Sequence, residues 1–102
     1  MSLARAWDVL GFVHSRLGEH RQAISCVQRA LALIREWKTP VRRWWRASLL
    51  TNLGDAHRSA GDLPAARQAW RQALQILDDL GLPDNRGIRA RLERADRPSP
   101  PD

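Results

Sequence analysis

The chain repeats itself. Shifted by 43 positions, one half lies on the other without a gap. Ala4 falls on Ala47, Leu10 on Leu53, Gly11 on Gly54 and His14 on His57. Further along, Gly18 falls on Gly61, Ala23 on Ala66, Ala30 on Ala73, Leu31 on Leu74 and Pro40 on Pro83. A fixed period of this size marks a stacked array of similar units, none able to bury its apolar face alone. Leu53 to Ala73 reads as a helix, a tight turn at Gly61-Asp62 and a second helix, and Leu10 to Ala30 carries the same pattern.

The matching residues have separate physical jobs. Gly11 and Gly54 lack a Cβ, so a neighbouring helix can approach closely. Gly18 and Gly61 sit where a helix must end, in a conformation that glycine adopts cheaply. Ala23, Ala30, Ala66 and Ala73 are small enough for the second helix to nest on the first. Trp7, Leu10, Val27, Leu50, Leu53 and Trp70 are the large side chains expected to fill the remaining space.

Helical spacing of apolar residues predicts a first helix over 3–17, a second over 20–37, a third over 40–60 and a fourth from Leu63-Pro64 to Gly81. Thr39 is the expected N-cap of the third, with Pro40 at its first position, and Asp62 caps the fourth. A fifth helix follows Pro83-Asp84 and matches the opening of the third: Arg86 with Arg43, Arg89 with Arg46, Ala90 with Ala47, Leu92 with Leu49. It reads as the start of a third copy that serves as a cap, and Arg86, Arg89, Arg91 and Arg94 suit the polar outer face a terminal cap needs. The fold class is therefore all-α: an antiparallel helix-turn-helix array of two repeats plus a C-terminal capping helix. The domain is expected over 1–94, with repeat one at about 4–38, repeat two at about 40–81 and the cap at about 84–94. Residues 95–102 carry three prolines and are expected to form a disordered tail.

These residues resemble the tetratricopeptide repeat, whose pattern asks for a large residue, Leu-Gly, an aromatic, a turn Gly, Ala, an aromatic and Ala. Copy one supplies Trp7, Leu10, Gly11, His14, Gly18, Ala23, Val27 and Ala30; copy two supplies Leu50, Leu53, Gly54, His57, Gly61, Ala66, Trp70 and Ala73. His14 and His57 stand where a tyrosine is usual, and the closing proline comes late. The period exceeds the usual length of about 34 residues. The surplus falls around 35–46 and reads as about one extra turn on each helix there. Lengthened repeats worded like LGDAHRSAGD are similar to the C-terminal arrays of SARP-type transcription activators and of related NB-ARC ATPase regulators. The resemblance covers about residues 4–94. It implies a C-terminal repeat part of a transcription regulator, although these 102 residues contain neither a winged-helix DNA-binding part nor a nucleotide-binding part.

Several functional classes find no support in the residues. Cys26 is the single cysteine, which excludes an internal disulfide framework and a cysteine-only zinc site. No apolar stretch approaches a membrane span, and the first residues lack a signal-peptide core, so a soluble cytoplasmic protein without membrane contact is expected. His14, His20 and His57 invite a metal or acid–base reading, but two of them occupy the repeat's packing position on different helices. No Ser-His-Asp order, zinc spacing or phosphate-binding loop is present. The expectation is a non-enzyme with no cofactor and no metal.

The family's inner, concave face is lined by the first helix of each copy. Carried onto this chain, that face gives Arg5, Asp8, Phe12, Ser15 and Arg16, then Ser48, Thr51, Asn52, Asp55, Arg58 and Ser59. A mixed polar face with one Phe suits a peptide or helix partner, or is a plain solvated surface. Arg5, Asp8, Phe12, Arg16, Asn52, Asp55 and Arg58 are the residues expected to contact a partner. The carboxylate-clamp subclass of these repeats uses Lys and Asn where this chain has Asp8 and Phe12, which argues against capture of an acidic chaperone tail.

The chain has sixteen arginines and one lysine, giving a formal net charge of +6. Such a bias reflects partner chemistry or merely a GC-rich coding sequence. The stretch from Trp37 to Arg46 interleaves aromatics with cations, and Arg42 and Arg46 lie only about 40° apart on a helix. Lys38, Arg42, Arg43, Trp44 and Arg46 therefore form a second candidate interface. One use is nucleic-acid binding by stacking and phosphate pairing. The alternative, which the residues favour, has Trp37 and Trp45 packing the helix ends while the arginines face water. Trp44 points about 100° away from Trp45, so one of the two is expected to face a partner. Finally, about three copies are usually needed for stability. An edge formed by Leu3, Trp7 and Leu33 is expected to be covered by a second copy, as a homodimer, or by upstream repeats.

Overall fold

The computed structural model describes residues 3–35, 39–84 and 86–96. Its elements are α1 (Leu3–Arg16), α2 (His20–Ile34), α3 (Pro40–Ser59), α4 (Leu63–Asp79) and α5 (Ile88–Asp96). The described residues contain no strand. Helices α1 and α2 form one antiparallel pair, α3 and α4 a second; α3 packs on α2, and α5 on α4. The principal extents are 47 × 33 × 18 Å. The shortest matches two layers of helices, each helix being about 10 Å across with its side chains.

Each helical pair closes the same way, for a reason visible in the residues. Gly18 and Gly61 have φ of +77° and +86°. The Glu19 N–H then donates to the His14 carbonyl at 2.9 Å, and the Asp62 N–H to that of His57 at 2.9 Å. These bonds satisfy carbonyls that the helix end leaves open. The α4 terminus repeats the device, with the Leu82 N–H donating to the Leu77 carbonyl at 2.9 Å. The starts are fixed too. Thr39 Oγ1 accepts from the Arg42 N–H at 3.4 Å, with Pro40 next to it, and Asp62 Oδ1 accepts from Ala65 at 3.2 Å.

The core is built by nesting large side chains over small ones. Trp70 is fully buried against Gly54, and Val27 lies against Gly11. Ala23, Ala30, Ala66 and Ala73 are all buried, as their size and spacing predict. Leu49, Leu50, Leu53, Ile34, Leu77 and Ile88 complete the interior. Each large apolar side chain so buried contributes about 1.5–3 kcal/mol.

Equal sequence positions do not receive equal burial. Leu53 is 9% exposed, but its counterpart Leu10 is 43% exposed and so does not fill the core. Helix α3 has α2 on one side and α4 on the other, whereas α1 packs chiefly on α2. Leu3, Val13 and Leu17 of α1 and Leu33 of α2 are exposed as well. Trp7 is half-buried, with the Arg29 guanidinium 4.9 Å above its ring.

Helix α5 also differs from the expected start near Asp84. Pro83 does not open a helix as Pro40 does. Instead both Asp84 carboxylate oxygens accept backbone N–H groups, from Ile88 and Arg89, each at 2.8 Å. The helix therefore begins at Ile88, and it continues to Asp96, past the expected end at Arg94. The tail from 97 to 102 and the expected packing of Trp37 lie outside the described residues.

Candidate functional site

Helices α1 and α3 lie side by side, and the small residues that let the pairs nest leave a furrow between them. Its middle is a cleft of about 230 Å³ lined by Asp8, Phe12 and Ser15 of α1 and by Asn52 and Asp55 of α3. Asp8 is shared with a second cleft of about 440 Å³, which adds Arg5, Val9, Val41, Arg42 and Trp44. Asp55 is shared with a third of about 390 Å³, bounded by Arg58, Ser59, Arg86, Arg91 and Arg94. The three join end to end into one trough that runs from Trp44 to α5.

Asp8 is half-buried and links the two repeats. Burial pushes its carboxyl above the ordinary 3.8, against hydrogen bonds from Trp45 and Asn52 and the charges of Arg86 and Arg5. Loss of hydration disfavours the charged form, and here it outweighs the partners that favour it.

Asp55 is held from two directions. The Trp70 indole N–H donates to Oδ1 at 3.2 Å. Arg91 of α5 donates through Nε to Oδ1 at 2.8 Å and through Nη2 to Oδ2 at 3.2 Å. This fork geometry is the strong form of a carboxylate–guanidinium contact. It ties the capping helix to the trough floor. A further hydrogen bond joins Arg91 to the Arg86 carbonyl.

Six of the seven residues expected to contact a partner line these clefts, and Arg16 reaches them only through Phe12. Phe12 is 64% exposed, with the Arg16 guanidinium 5.9 Å above its ring. Arg5, Arg16 and Arg58 are exposed; Asp8, Asn52 and Asp55 are half-buried. Ser48, though 9% exposed, still borders the cleft of Arg5 and Trp44, whereas Thr51 does not reach the trough. Thr51 is 1% exposed, and its hydroxyl donates to the Ala47 carbonyl at 2.8 Å. Thr51 lies beneath the surface near Leu77 and Arg86.

The basic and aromatic segment is divided. Arg43 pairs with Asp79 at 3.7 Å, and Arg46 donates to the Arg35 carbonyl. Trp44, 41% exposed, and the half-buried Trp45 line the second cleft together with Arg42. Lys38 lies outside the described residues. So Trp44 and Arg42 extend the same concave face instead of forming a separate one.

Arg86, Arg91 and Arg94, expected on the outer face of the cap, border the cleft with Asp55 and Arg58. A signal was available: the 43-residue shift sets Arg91 on Ser48 and Arg94 on Thr51, both on the expected inner face. His14 has a role the spacing did not show. Its Nδ1 lies 3.3 Å from Glu19 Oε1, across the turn between α1 and α2. Among the described residues no group of His, Cys, Asp and Glu converges to hold a metal, and no helix is long and apolar enough to cross a membrane.

The sequence profile of the tetratricopeptide repeat matches residues 2–79, which span both helical pairs. The chain belongs to the tetratricopeptide repeat family. Tetratricopeptide repeats generally mediate protein–protein contacts and are typically non-catalytic. No curated protein matches the chain. The family explains why the trough lies where it does. Tetratricopeptide helices nest through Gly11, Gly54 and the alanines, leaving the first helix of each pair to form the concave wall.

Proposed function

We propose that this repeat module binds a peptide or helical segment of a partner protein in the trough between α1 and α3, as the C-terminal sensory or assembly part of a transcription regulator. The observation that carries the binding reading is the sharing of Asp8 and Asp55 among three neighbouring clefts, with Arg5, Phe12, Asn52 and Arg58 along them and Arg16 held over the Phe12 ring. Exposed Phe and Trp rings beside polar groups are the ordinary chemistry of such recognition. The regulator setting is supported by the likeness of Leu53 to Asp62 to the arrays of SARP-type activators. A cytoplasmic location goes with that setting. The test is affinity capture from cell extract with the wild-type chain and with Arg16→Glu, read by mass spectrometry. A transcription component retained by the first and lost by the second supports the proposal. Identical captures refute the trough as the binding surface.

A homodimer through α1 is the second part of the reading. Leu3, Leu10, Val13 and Leu17 are exposed and follow the 3–4 spacing of a helix-pairing seam. The internal repeat says what such a face does, because Leu53, in the register of Leu10, is covered. Light scattering should give a dimer that Leu10→Glu dissociates. A monomer at high concentration would refute it. Nucleic-acid binding through Arg42, Arg43, Trp44 and Arg46 is the weaker alternative, since Arg43 and Arg46 are engaged within the chain. It predicts affinity for duplex or single-stranded probes that falls steeply with salt.

A further inference from the structure

The cleft at the α5 end of the trough carries a charge that the rest does not. Four arginines border it: Arg58 from α3 and Arg86, Arg91 and Arg94 from the cap. Arg91 is neutralised by its forked contact with Asp55. No described carboxylate lies within ion-pair distance of Arg58 or Arg94, and Arg86 acts on Asp8 only as a nearby charge. Other arginines of the molecule are spent differently: Arg43 on Asp79, Arg67 on Asp96, Arg89 on Asp78. Two guanidinium groups, those of Arg58 and Arg94, thus face one concave space of about 390 Å³ with no described carboxylate paired to them, and Arg86 adds a third charge shared with Asp8. The Ser59 side chain borders the same space. Guanidinium forks match carboxylates in planar, two-bond geometry.

We infer that this cleft is an anion subsite for a partner protein, and that it receives an acidic stretch of Asp and Glu side chains. The inference rests on the trough being a protein-binding surface and adds the chemistry of one end of the ligand. Carboxylates are favoured over a nucleic-acid backbone for a reason within the trough. The positive cleft is short and gives way at once to Asp55 and then Asp8. A phosphate chain continuing along the trough would meet those carboxylates, whereas a protein segment can follow its acids with neutral or basic residues. The capping helix thereby sets specificity as well as shielding the last repeat.

The test uses fluorescence anisotropy with the full chain and three labelled probes. One is a peptide rich in Glu, one its Gln counterpart, and one a single-stranded oligonucleotide. The Glu peptide should bind more tightly than the Gln peptide. The double variant Arg58→Glu with Arg94→Glu should weaken the Glu peptide by about tenfold or more, a scale set by reversing two exposed pairs. Arg71→Glu, on the exposed side of α4, should leave it unchanged. Neither Arg58 nor Arg94 makes an ion pair with a described residue, so helicity by circular dichroism should match wild type. Equal binding of both peptides, or no effect of the double variant on the Glu peptide, overturns the acidic subsite. Oligonucleotide binding as tight as that of the Glu peptide, and lost in the same variant, overturns the assignment to protein. Retained binding of a captured partner by Arg58→Glu/Arg94→Glu but not by Arg16→Glu overturns the subsite and leaves the wider trough standing.

Discussion

Gly54→Ala tests the packing on which the repeat depends. A Cβ built at Gly54 would lie under 3.0 Å from three atoms of the Trp70 indole, with Cε2 the most distant at 2.9 Å. Unstrained carbon contacts begin at about 3.5 Å, so the ring has to retreat by about 1 Å or the helices have to separate. Trp70 has no room for this. It is fully buried, and its N–H is bound to Asp55. Overpacking of this kind costs about 1–3 kcal/mol. Replacing Gly by Ala inside a helix returns about 1 kcal/mol through backbone propensity. The net expectation is a loss of up to about 2 kcal/mol, toward the upper end because the ring cannot move aside. Gly11→Ala supplies the internal control, because it changes the same repeat position in copy one. There the nearest atom would be Val27 Cγ2 at 3.0 Å, a small group that has only to shift by a few tenths of an ångström. Gly11→Ala should therefore be close to neutral. Urea unfolding followed by circular dichroism and tryptophan fluorescence measures both. The double variant Gly54→Ala/Trp70→Phe should lose less than the sum of its parts, since the smaller ring clears the new methyl. If Gly54→Ala matches Gly11→Ala in stability, close approach at the glycine is not what positions α3 on α4, and the argument fails.

The other predictions concern charge and caps. Asp84→Ala should cost about 1 kcal/mol, typical of a lost N-cap, and should increase hydrogen exchange in α5. Burial pushes the Asp84 carboxyl up, but the N–H groups of Arg89 and Ile88, the Arg89 charge and the Arg86 N–H outweigh it and hold it below the ordinary 3.8. Its contribution is thus present above pH 3.8 and is lost as pH falls through the lower folded value; an α5 signal that survives such acid would contradict this. Asp8 has the opposite sign. Its carboxyl is raised, so its share of stability is present below pH 3.8 and lost as pH rises through the folded value. Asp8→Asn should raise the melting temperature at neutral pH but not in acid, and a fall at neutral pH would refute the reasoning. Arg91→Leu should loosen α5 and leave Asp55 without its forked partner; the pair is partly exposed, so the expected loss is about 1 kcal/mol in urea unfolding.

Much of this architecture could be read before any coordinates. Glycine at Gly18 and Gly61 fixes where the helices turn, because a left-handed residue admits few alternatives. Small residues at Ala23, Ala30, Ala66 and Ala73 fix which faces meet, since only they permit close approach. Thr39 and Asp62 mark helix starts through bonds made within three residues. All of these are local effects, and local sequence encodes them. The trough's two repeat-borne walls followed from the same register, which is why Asp8, Phe12, Asn52 and Asp55 were found together.

What the sequence left undecided depends on neighbours far along the chain. Leu10 and Leu53 are identical in type and register, yet one is exposed and the other buried. Only the second has helices on both sides, and position in the stack is not written in a residue's own surroundings. The same holds for charge. Asp55 and Arg91 are ordinary polar residues in isolation, 36 positions apart. Packing α5 on α4 brings Arg91 within reach of Asp55, and so leaves Arg58, Arg86 and Arg94 around one cleft. Composition and spacing determined that this chain forms stacked helical pairs. Tertiary packing alone decided which of its many arginines are satisfied within the fold and which remain to meet another molecule, because charge balance is settled through space.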